Sequence, residues 1–450
     1  MQKKKLQRVK IETLGCKVNH YESQGLAAEF RRQGWQVVKK GPCEAVVINS
    51  CAVTAEAGRQ SLQTARRALK RYPEAQVALA GCAVVAEPQK AVEVEKLGAV
   101  FGNAGKKDLV SRLTGQLEGE AVDLAEQIGI YGELAVDLLR ADLDRGRSRA
   151  VVKIQDGCNS FCRYCIIPYL RGRCRSLLPE TVLAECCELV DAGFHEVVLT
   201  GIHIGRYGED LGGGFSLTSL LLQLVAEFPE LRLRLGSLQP HEITPEIISL
   251  LLDPQASVCE HLHLSLQSAS DRVLGAMGRP YRRHDIENIF TLLAAGAGHL
   301  NIGTDLIVGF PAEDEKSFQE TLDLVKTVEL GYLHVFPYSP RRGTVAASWP
   351  DRIPASEKKA RAAELGALGQ SKREAFAEKN LGCNLKVLLE KKVEDKRYGE
   401  GWFGHSRNYL PVLVTKQAVD TCLQIGSQVT VQAHTWDGRR LIGSWERSRC

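Results

Sequence analysis

Between Val151 and Pro340 one pattern recurs six times: a short apolar run of strand length, then a stretch with the period of an amphipathic helix. The runs are Val151 to Gln155, Glu196 to Gly201, Leu231 to Gly236, His261 to Gln267, Asn301 to Gly309 and Tyr332 to Phe336. Consecutive strand–helix units require parallel strands with helical crossovers, and six of them suit an open or partial (β/α) barrel better than a closed eight-stranded one. Such barrels place their chemistry where the strands end. Here those ends carry a cysteine loop, Thr200 with Gly201, Ser237, Gln267, and Gly309 before Pro311. One such glycine by itself is an ordinary turn residue, but the set outlines a site.

The first strand runs into DGCNSFCRYCIIPYLRGRCR, Asp156–Arg175, which sets Cys158, Cys162 and Cys165 on one loop in a C-x-x-x-C-x-x-C pattern. Three thiolates so placed can hold three corners of a cubic iron–sulfur cluster and leave one iron open, whereas a structural zinc site takes four protein ligands. Buried structural cysteines and part of a zinc site are the alternatives the spacing leaves. The first 110 or so residues also alternate strand and helix. VKIETLG, AVVINS and QVALAG are separated by helical stretches near His20 to Gln33 and Ala55 to Arg71, the pattern of a parallel sheet covered by helices. Each of these strands ends at a cysteine: Cys16, Cys51 and Cys82. The carboxyl ends of an open parallel sheet line its ligand crevice, so three cysteines far apart in sequence form a second candidate cluster site. Any one of them alone is a common small core residue.

The chain has 450 residues, 14 of them cysteine, and a net charge of +4. Two or three domains are expected at this length, and the net charge is too small to indicate a nucleic-acid partner by itself. Glu12 interrupts the basic start before any signal-like apolar segment develops, and the run around Leu217 to Val225 belongs to a short amphipathic helix. A cytoplasmic protein with no membrane partner is expected. In a reducing compartment cysteines serve metals or catalysis more often than disulfides. Cys43, Cys174, Cys186, Cys187, Cys259, Cys383, Cys422 and Cys450 fall outside the two triads and read as core or surface thiols.

KIQDGCNSFCRYCIIPYLRG resembles the signature of the radical S-adenosylmethionine (SAM) enzymes, in the form found in their methylthiotransferase branch. TLGCKVNHYES, VINSCAV and LAGC resemble that family's amino-terminal domain, and VVLTGIHIGRYG, RLGSLQP, HLHLSLQSAS, TDLIVGFPAE and HVFPYSPRRGT resemble its barrel. The resemblance covers nearly the whole chain. It implies a 4Fe–4S cluster on Cys158, Cys162 and Cys165 whose open iron chelates SAM and yields a 5′-deoxyadenosyl radical. It also implies an auxiliary 4Fe–4S cluster on Cys16, Cys51 and Cys82 that carries the sulfur to be inserted. Thr200, Gly201, Ser237, Gln267 and Val308 are the implied SAM pocket. Two departures stand out: Val85 occupies the place of a glutamine in the family's GCYAQ, which removes a hydrogen bond near the cluster, and Ala312 replaces the glycine after GFP.

Leu109 to Ala150 has no strand pattern and reads as a connecting segment ending in Arg145, Arg147 and Arg149, a solvated charged face. Ala355 to Lys379 reads as a long polar spacer helix. Beyond it, LKVLLE, LPVLVT and SQVTVQA indicate a small antiparallel β-barrel. From Lys379 to Cys450 there are 12 Lys plus Arg against 7 Asp plus Glu, a net of +5, interleaved with Trp402, Phe403, His405, Arg407, Tyr409 and Trp436. Cations that track phosphates beside aromatics that stack on unpaired bases suit single-stranded RNA, while several of these aromatics are equally suited to a barrel core. The segment resembles the TRAM RNA-binding module.

The expected organisation is therefore an N-terminal parallel α/β domain over 7–118, a central partial (β/α)6 radical SAM core over 144–376, and a C-terminal β-barrel over 379–450. GCKVNHYES, LTGIHIGRYG and HVFPYSPRRGT resemble the branch that acts on N6-threonylcarbamoyladenosine of tRNA. The implied partners are a tRNA anticodon loop, an electron donor such as flavodoxin or ferredoxin, and a sulfur source. Arg171, Arg173, Arg279, Arg282 and Arg283 are candidate phosphate contacts at the barrel mouth. Other readings are a methylthiotransferase for isopentenyladenosine tRNA or a ribosomal-protein aspartate, and a non-catalytic iron–sulfur RNA-binding redox sensor.

Overall fold

The computed structural model describes residues 7–115, 147–296, 298–350, 353–415 and 423–445. The N-terminal sheet comprises β1 (Arg8–Thr13), β2 (Gln36–Val37), β3 (Ala45–Ser50), β4 (Gln76–Gly81) and β5 (Ala99–Phe101), in the order β2-β1-β3-β4-β5 with every pair parallel. β3 is buried throughout because both its faces are covered. Ala45 and Val47 meet Leu26, Phe30, Leu109 and Val110, while Val46 and Ile48 meet Leu62, Ala65 and Val84. The chain leaves β1 toward β2 and returns on the other side as β3, so the β1/β3 junction is the switch point where a crevice opens. Cys16 follows β1 and Cys51 follows β3. The edge strands β2 and β5, two and three residues long, carry no periodic signal and were not expected from the sequence.

The central unit contains β6 (Ala150–Lys153), β7 (Gln155–Asp156), β8 (Arg175–Ser176), β9 (Glu196–Thr200), β10 (Arg232–Leu235), β11 (Ser237–Leu238), β12 (His261–Gln267), β13 (Asn301–Val308) and β14 (Tyr332–Pro337). Two parallel sheets, β6-β9-β10 and β11-β12-β13-β14, are joined by the continuous chain 232–238, which pairs with β9 on one side and β12 on the other. The six expected runs are the six barrel strands, and Gly201, Gly236 and Gly309 lie just past their ends. β7 and β8 form a two-residue antiparallel ribbon at the base of the cysteine loop.

The helix Ala355–Lys379 is more than a spacer. Leu365 is fully buried in the central core and Gly369 lies against Leu333 of β14, while Phe376 and Ala377 enter the core of the C-terminal barrel. That barrel closes as β15 (Asn384–Asp395), β16 (Gly399–Ser406), β17 (Pro411–Thr415), β19 (Leu441–Trp445) and β18 (Gln428–Trp436). It is not wholly antiparallel, because β17 and β19 pair in parallel. Its β16–β17 turn plugs the lower end of the central barrel: Arg234 donates to the carbonyls of Ser406 and Arg407, and Asn301 Nδ2 donates to Asn408 O at 2.8 Å.

Of the expected connecting segment, Lys106–Leu113 is helical; most of the rest, with Arg145, Cys422, Cys450 and parts of the expected domain spans near 116–118, 144–146, 416–422 and 446–450, lies outside the described residues. Arg149 is not a solvated charge; it pairs with Glu196 of the central barrel and Glu390 of the C-terminal one. Among the described residues no helix is long and apolar enough to cross a membrane.

Candidate active site

Cys158, Cys162 and Cys165 lie on the loop between β7 and β8. Gly157 makes this loop possible: its φ is +72°, and a Cβ there would meet the Arg173 carbonyl oxygen at 1.9 Å. Each neighbouring donor is aimed at sulfur. His203 Nδ1 lies 3.4 Å from Cys158 Sγ, the Ser160 amide donates to the same sulfur at 3.4 Å, and Arg279 donates to Cys162 Sγ at 3.4 Å. Burial alone would raise the Cys158 thiol, but the hydrogen bond from His203 brings it below its usual range. Burial likewise opposes charge on His203, yet Cys158 and Glu242, the latter 2.5 Å from Nε2, hold the imidazole protonated up to about 9. For Cys165 burial outweighs the backbone hydrogen bond from Ile167 and pushes the thiol up to about 12.

The second triad forms at the β1/β3 switch point. Cys16, Cys51 and Cys82 all line one cavity of ≈ 1660 Å³, together with Thr200, Gly201 and Ser237 from the barrel mouth. Gly15, at φ +98°, passes so close that a Cβ would stand 2.6 Å from Cys51 Sγ. Asn103 donates to Cys82 Sγ at 3.5 Å and to the Leu170 carbonyl at 2.9 Å. Leu170 belongs to the short helix Ile167–Arg171, and it packs with Ile166, the residue before that helix, against Ala52, Cys82 and Ala83. One helical turn thus separates the two triads. Val85 joins the same apolar seam, so its substitution for a polar residue is met by packing. Ala312 is absent from the left-handed region, so the missing glycine brings no strain.

Arg171 is not a phosphate contact. Its guanidinium is 1% exposed and donates to Glu22 Oε1 at 2.8 Å, to both Asp156 oxygens at 3.1 Å and to Asn19 Oδ1 at 2.7 Å. Lys153 and Lys106 complete a buried network of three cations against two carboxylates between the N-terminal and central units. Arg279 is also buried, bonded to Cys162, Tyr281 and the Ser265 carbonyl. Arg282 donates to the carbonyls of Arg279 and Tyr281, and Arg283 binds Glu287 and the Glu320 carbonyl. Of the five expected phosphate contacts, Arg173 alone is exposed.

Of the remaining site residues, Gln267 ends β12 at a register shift with φ +67°, a strained conformation of the kind found at functional positions. The Val308 side chain packs in the central core, and neither Val308 nor Gln267 is among the residues lining the cavity. Phe403, His405 and Tyr409 line the cavity. Trp402 and Trp436 instead pack with the C-terminal core, and Arg407 docks that barrel by bonding Glu260 and the carbonyls of Ala256 and Val258. Sequence reading missed His203 and Arg279 as partners of cysteine and Glu242 as the partner of His203; each lies 39 or more positions from its partner, and no spacing signals the contact.

The donor sets fit cubic clusters better than single ions. Among the described residues the one group whose ligand atoms all lie within 4.8 Å of one another is His263, Asp305 and His334; neither cysteine triad is so tight. Mutual hydrogen bonds of 3.0 and 3.1 Å account for that histidine–aspartate group. Around the thiols stand N–H donors and the excess positive charge of the Arg171 network, as the net negative charge of a thiolate-held cluster requires.

Residues 8–102 match the family model described as Uncharacterized protein family UPF0004, and residues 152–325 match that of the Radical SAM superfamily. The chain is 37% identical over 393 residues to the threonylcarbamoyladenosine tRNA methylthiotransferase MtaB of Aquifex aeolicus, covering 87% of this chain and 94% of the relative. It is 33% identical over 411 residues to MtaB of Bacillus subtilis, covering 90% of each. It is also 36% identical over 397 residues to a tRNA-2-methylthio-N(6)-dimethylallyladenosine synthase of Moorella thermoacetica, covering 85% of this chain and 86% of that one. Among solved structures, the radical S-adenosylmethionine methyltransferase TsrM of Kitasatospora setae shares the fold with a TM-score of 0.56 at 14% identity, over 76% of this chain and 77% of that one. With one cysteine triad lining the cavity, a second one short helix away and this extent of similarity, the chain belongs to the tRNA methylthiotransferase family of the radical SAM superfamily.

Proposed function

We propose that the protein transfers a methylthio group to C2 of N6-threonylcarbamoyladenosine beside the tRNA anticodon, giving 2-methylthio-N6-threonylcarbamoyladenosine. The observation that carries the reading is the arrival of Cys16, Cys51 and Cys82 in the same cavity as Thr200, Gly201 and Ser237, one short helix away from the Cys158, Cys162 and Cys165 loop. In this reading Cys158, Cys162 and Cys165 hold one 4Fe–4S cluster, and Cys16, Cys51 and Cys82 hold the other. When bound, these clusters and SAM supply hydrogen abstraction from C2, the sulfur and the methyl group. The chain's own residues do the rest. His203 and Arg279 hold the radical-site thiolates by N–H···S bonds, and Thr200, Gly201 and Ser237 form the SAM pocket. The Arg171 network fixes the two triads relative to each other and balances their charge. Phe403, His405 and Tyr409 offer stacking surfaces on the cavity wall for bases of an anticodon loop. The working units are 7–118, 144–376 and 379–450. An electron donor such as flavodoxin or ferredoxin, a sulfur source and a cytoplasmic setting complete the scheme.

The threonylcarbamoyl branch is favoured by the relatives named MtaB, which span most of this chain at 33 to 37% identity. The test supplies anaerobically reconstituted enzyme, SAM and reductant with two tRNAs, one threonylcarbamoylated and one isopentenylated, and measures methylthio nucleosides by mass spectrometry. Product on the first is expected; preferential product on the second would overturn the branch.

A further inference from the structure

Lys17 opens the helix Lys17–Arg32, directly after Cys16, and its side chain is exposed to the shared cavity. Among the described residues its ammonium has no hydrogen-bond or ion-pair partner. Its charged neighbours are Arg234, Arg149 and Glu196, and His261 lies near it on β12. The one carboxylate among these is already engaged: Arg234 Nε is 2.8 Å from Glu196, Arg149 Nε 3.5 Å and an Arg232 amine 3.9 Å. Glu390 is shared between Arg149 and His405. The surroundings of the Lys17 ammonium are therefore net positive. The N-terminal end of the Lys17–Arg32 helix adds to that field. With no anion of its own among these cations, the ammonium is a ready partner for an incoming carboxylate.

We propose that Lys17 pairs with the carboxylate of the threonylcarbamoyl group and is a specificity-determining residue for the substrate. The inference rests on the reading under Proposed function. C2, where sulfur is to be attached, and C6, whose exocyclic N6 carries the threonylcarbamoyl group, flank N1 of one six-membered ring, so a residue next to a sulfur-triad cysteine is in place to meet the N6 substituent. A dimethylallyl substituent offers no charge and would leave the ammonium buried beneath an apolar group. The carboxylate satisfies it and the neighbouring positive field together.

The experiment is a thermodynamic cycle on reconstituted holoenzyme, with anticodon stem-loops bearing threonylcarbamoyladenosine, its methyl ester, or plain adenosine. Iron and sulfide content serve as the control for loading. Lys17→Met is expected to weaken binding of the acid about 10- to 100-fold, and esterification to weaken binding to the unaltered enzyme by a similar factor. Combined, the two changes are expected to cost no more than either alone. Lys17→Gln takes the place of Lys17→Met if the latter fails to load iron. Additive losses, or no loss on Lys17→Met, would overturn the assignment. An equal loss on all three stem-loops would also overturn it, because Lys17 would then be a phosphate contact. Failure of the branch assignment is separately visible, as absence of methylthio product on threonylcarbamoylated tRNA from the unaltered enzyme.

Discussion

Replacing Arg171 by methionine keeps much of the side-chain volume and removes every donor. In the native network the guanidinium serves Glu22, Asp156 and Asn19 at once, while Lys153 and Lys106 bond the same two carboxylates. Three cations against two carboxylates become two against two, so charge imbalance does not grow. What is lost is the set of charge-assisted hydrogen bonds, together with the donor to Asn19 Oδ1. Breaking a buried pair costs about 3–5 kcal/mol, and the remaining lysines put this case near the lower bound. At about 1.4 kcal/mol per decade, that is roughly a 150-fold shift toward opening of the contact between the N-terminal helix and the central barrel. Hydrogen exchange reads this directly. Amides of the helix Lys17–Arg32 are expected to exchange about 100-fold faster or more, while those of β3 and β4 keep their protection. The effect is expected to be larger with the Cys16, Cys51 and Cys82 cluster loaded, since its negative charge then loses a nearby cation, and to persist at high salt because the network is buried. Helix exchange within about threefold of the unaltered protein would refute the network as the clamp between the two units.

Cys162→Ala is expected to abolish 5′-deoxyadenosine release while keeping about four of eight irons, and Cys51→Ala to keep SAM cleavage but yield no methylthio nucleoside; iron analysis and product chromatography check both. Arg407→Ala removes the link to Glu260 and to two carbonyls, and should cost about 2 kcal/mol, seen as earlier proteolytic release of the C-terminal barrel. Glu196 is held at about 2 although burial alone would raise it, because Arg234 and Arg149 stabilise its anion. Its folded-state value is depressed, so its contribution is present above the ordinary value of 4.5 and is lost as pH falls from there toward 2. Glu196→Gln should flatten acid unfolding across that window, as followed by circular dichroism.

Much of this protein is written in local pattern. The apolar runs of the barrel strands are hydrophobic because helices cover them, and Ala355–Lys379 is helical by propensity along its whole length. Cys158, Cys162 and Cys165 share a loop, so spacing alone brings them together. Cys16, Cys51 and Cys82 could be grouped from sequence only through the rule that parallel strands end on one edge. That they share a cavity with Thr200, Gly201 and Ser237 is a property of how two sheets dock.

What tertiary structure alone decided is the direction of the charged and aromatic side chains. Arg171 and Arg279 have the composition of rim cations and turn inward, because buried carboxylates and cysteine sulfur wait there. Trp402 and Trp436, suited by sequence to RNA or to a barrel core, fill the small barrel and Arg407 docks it, while Lys17 of the GCKVNHYES segment stands unpaired in the cavity. His203 reaches Cys158 across 45 positions, and Arg279 reaches Cys162 across 117. Periodicity reports which face of an element is buried. A single polar contact across such separations repeats nowhere along the chain, so it leaves no period to read and is settled only when the elements pack.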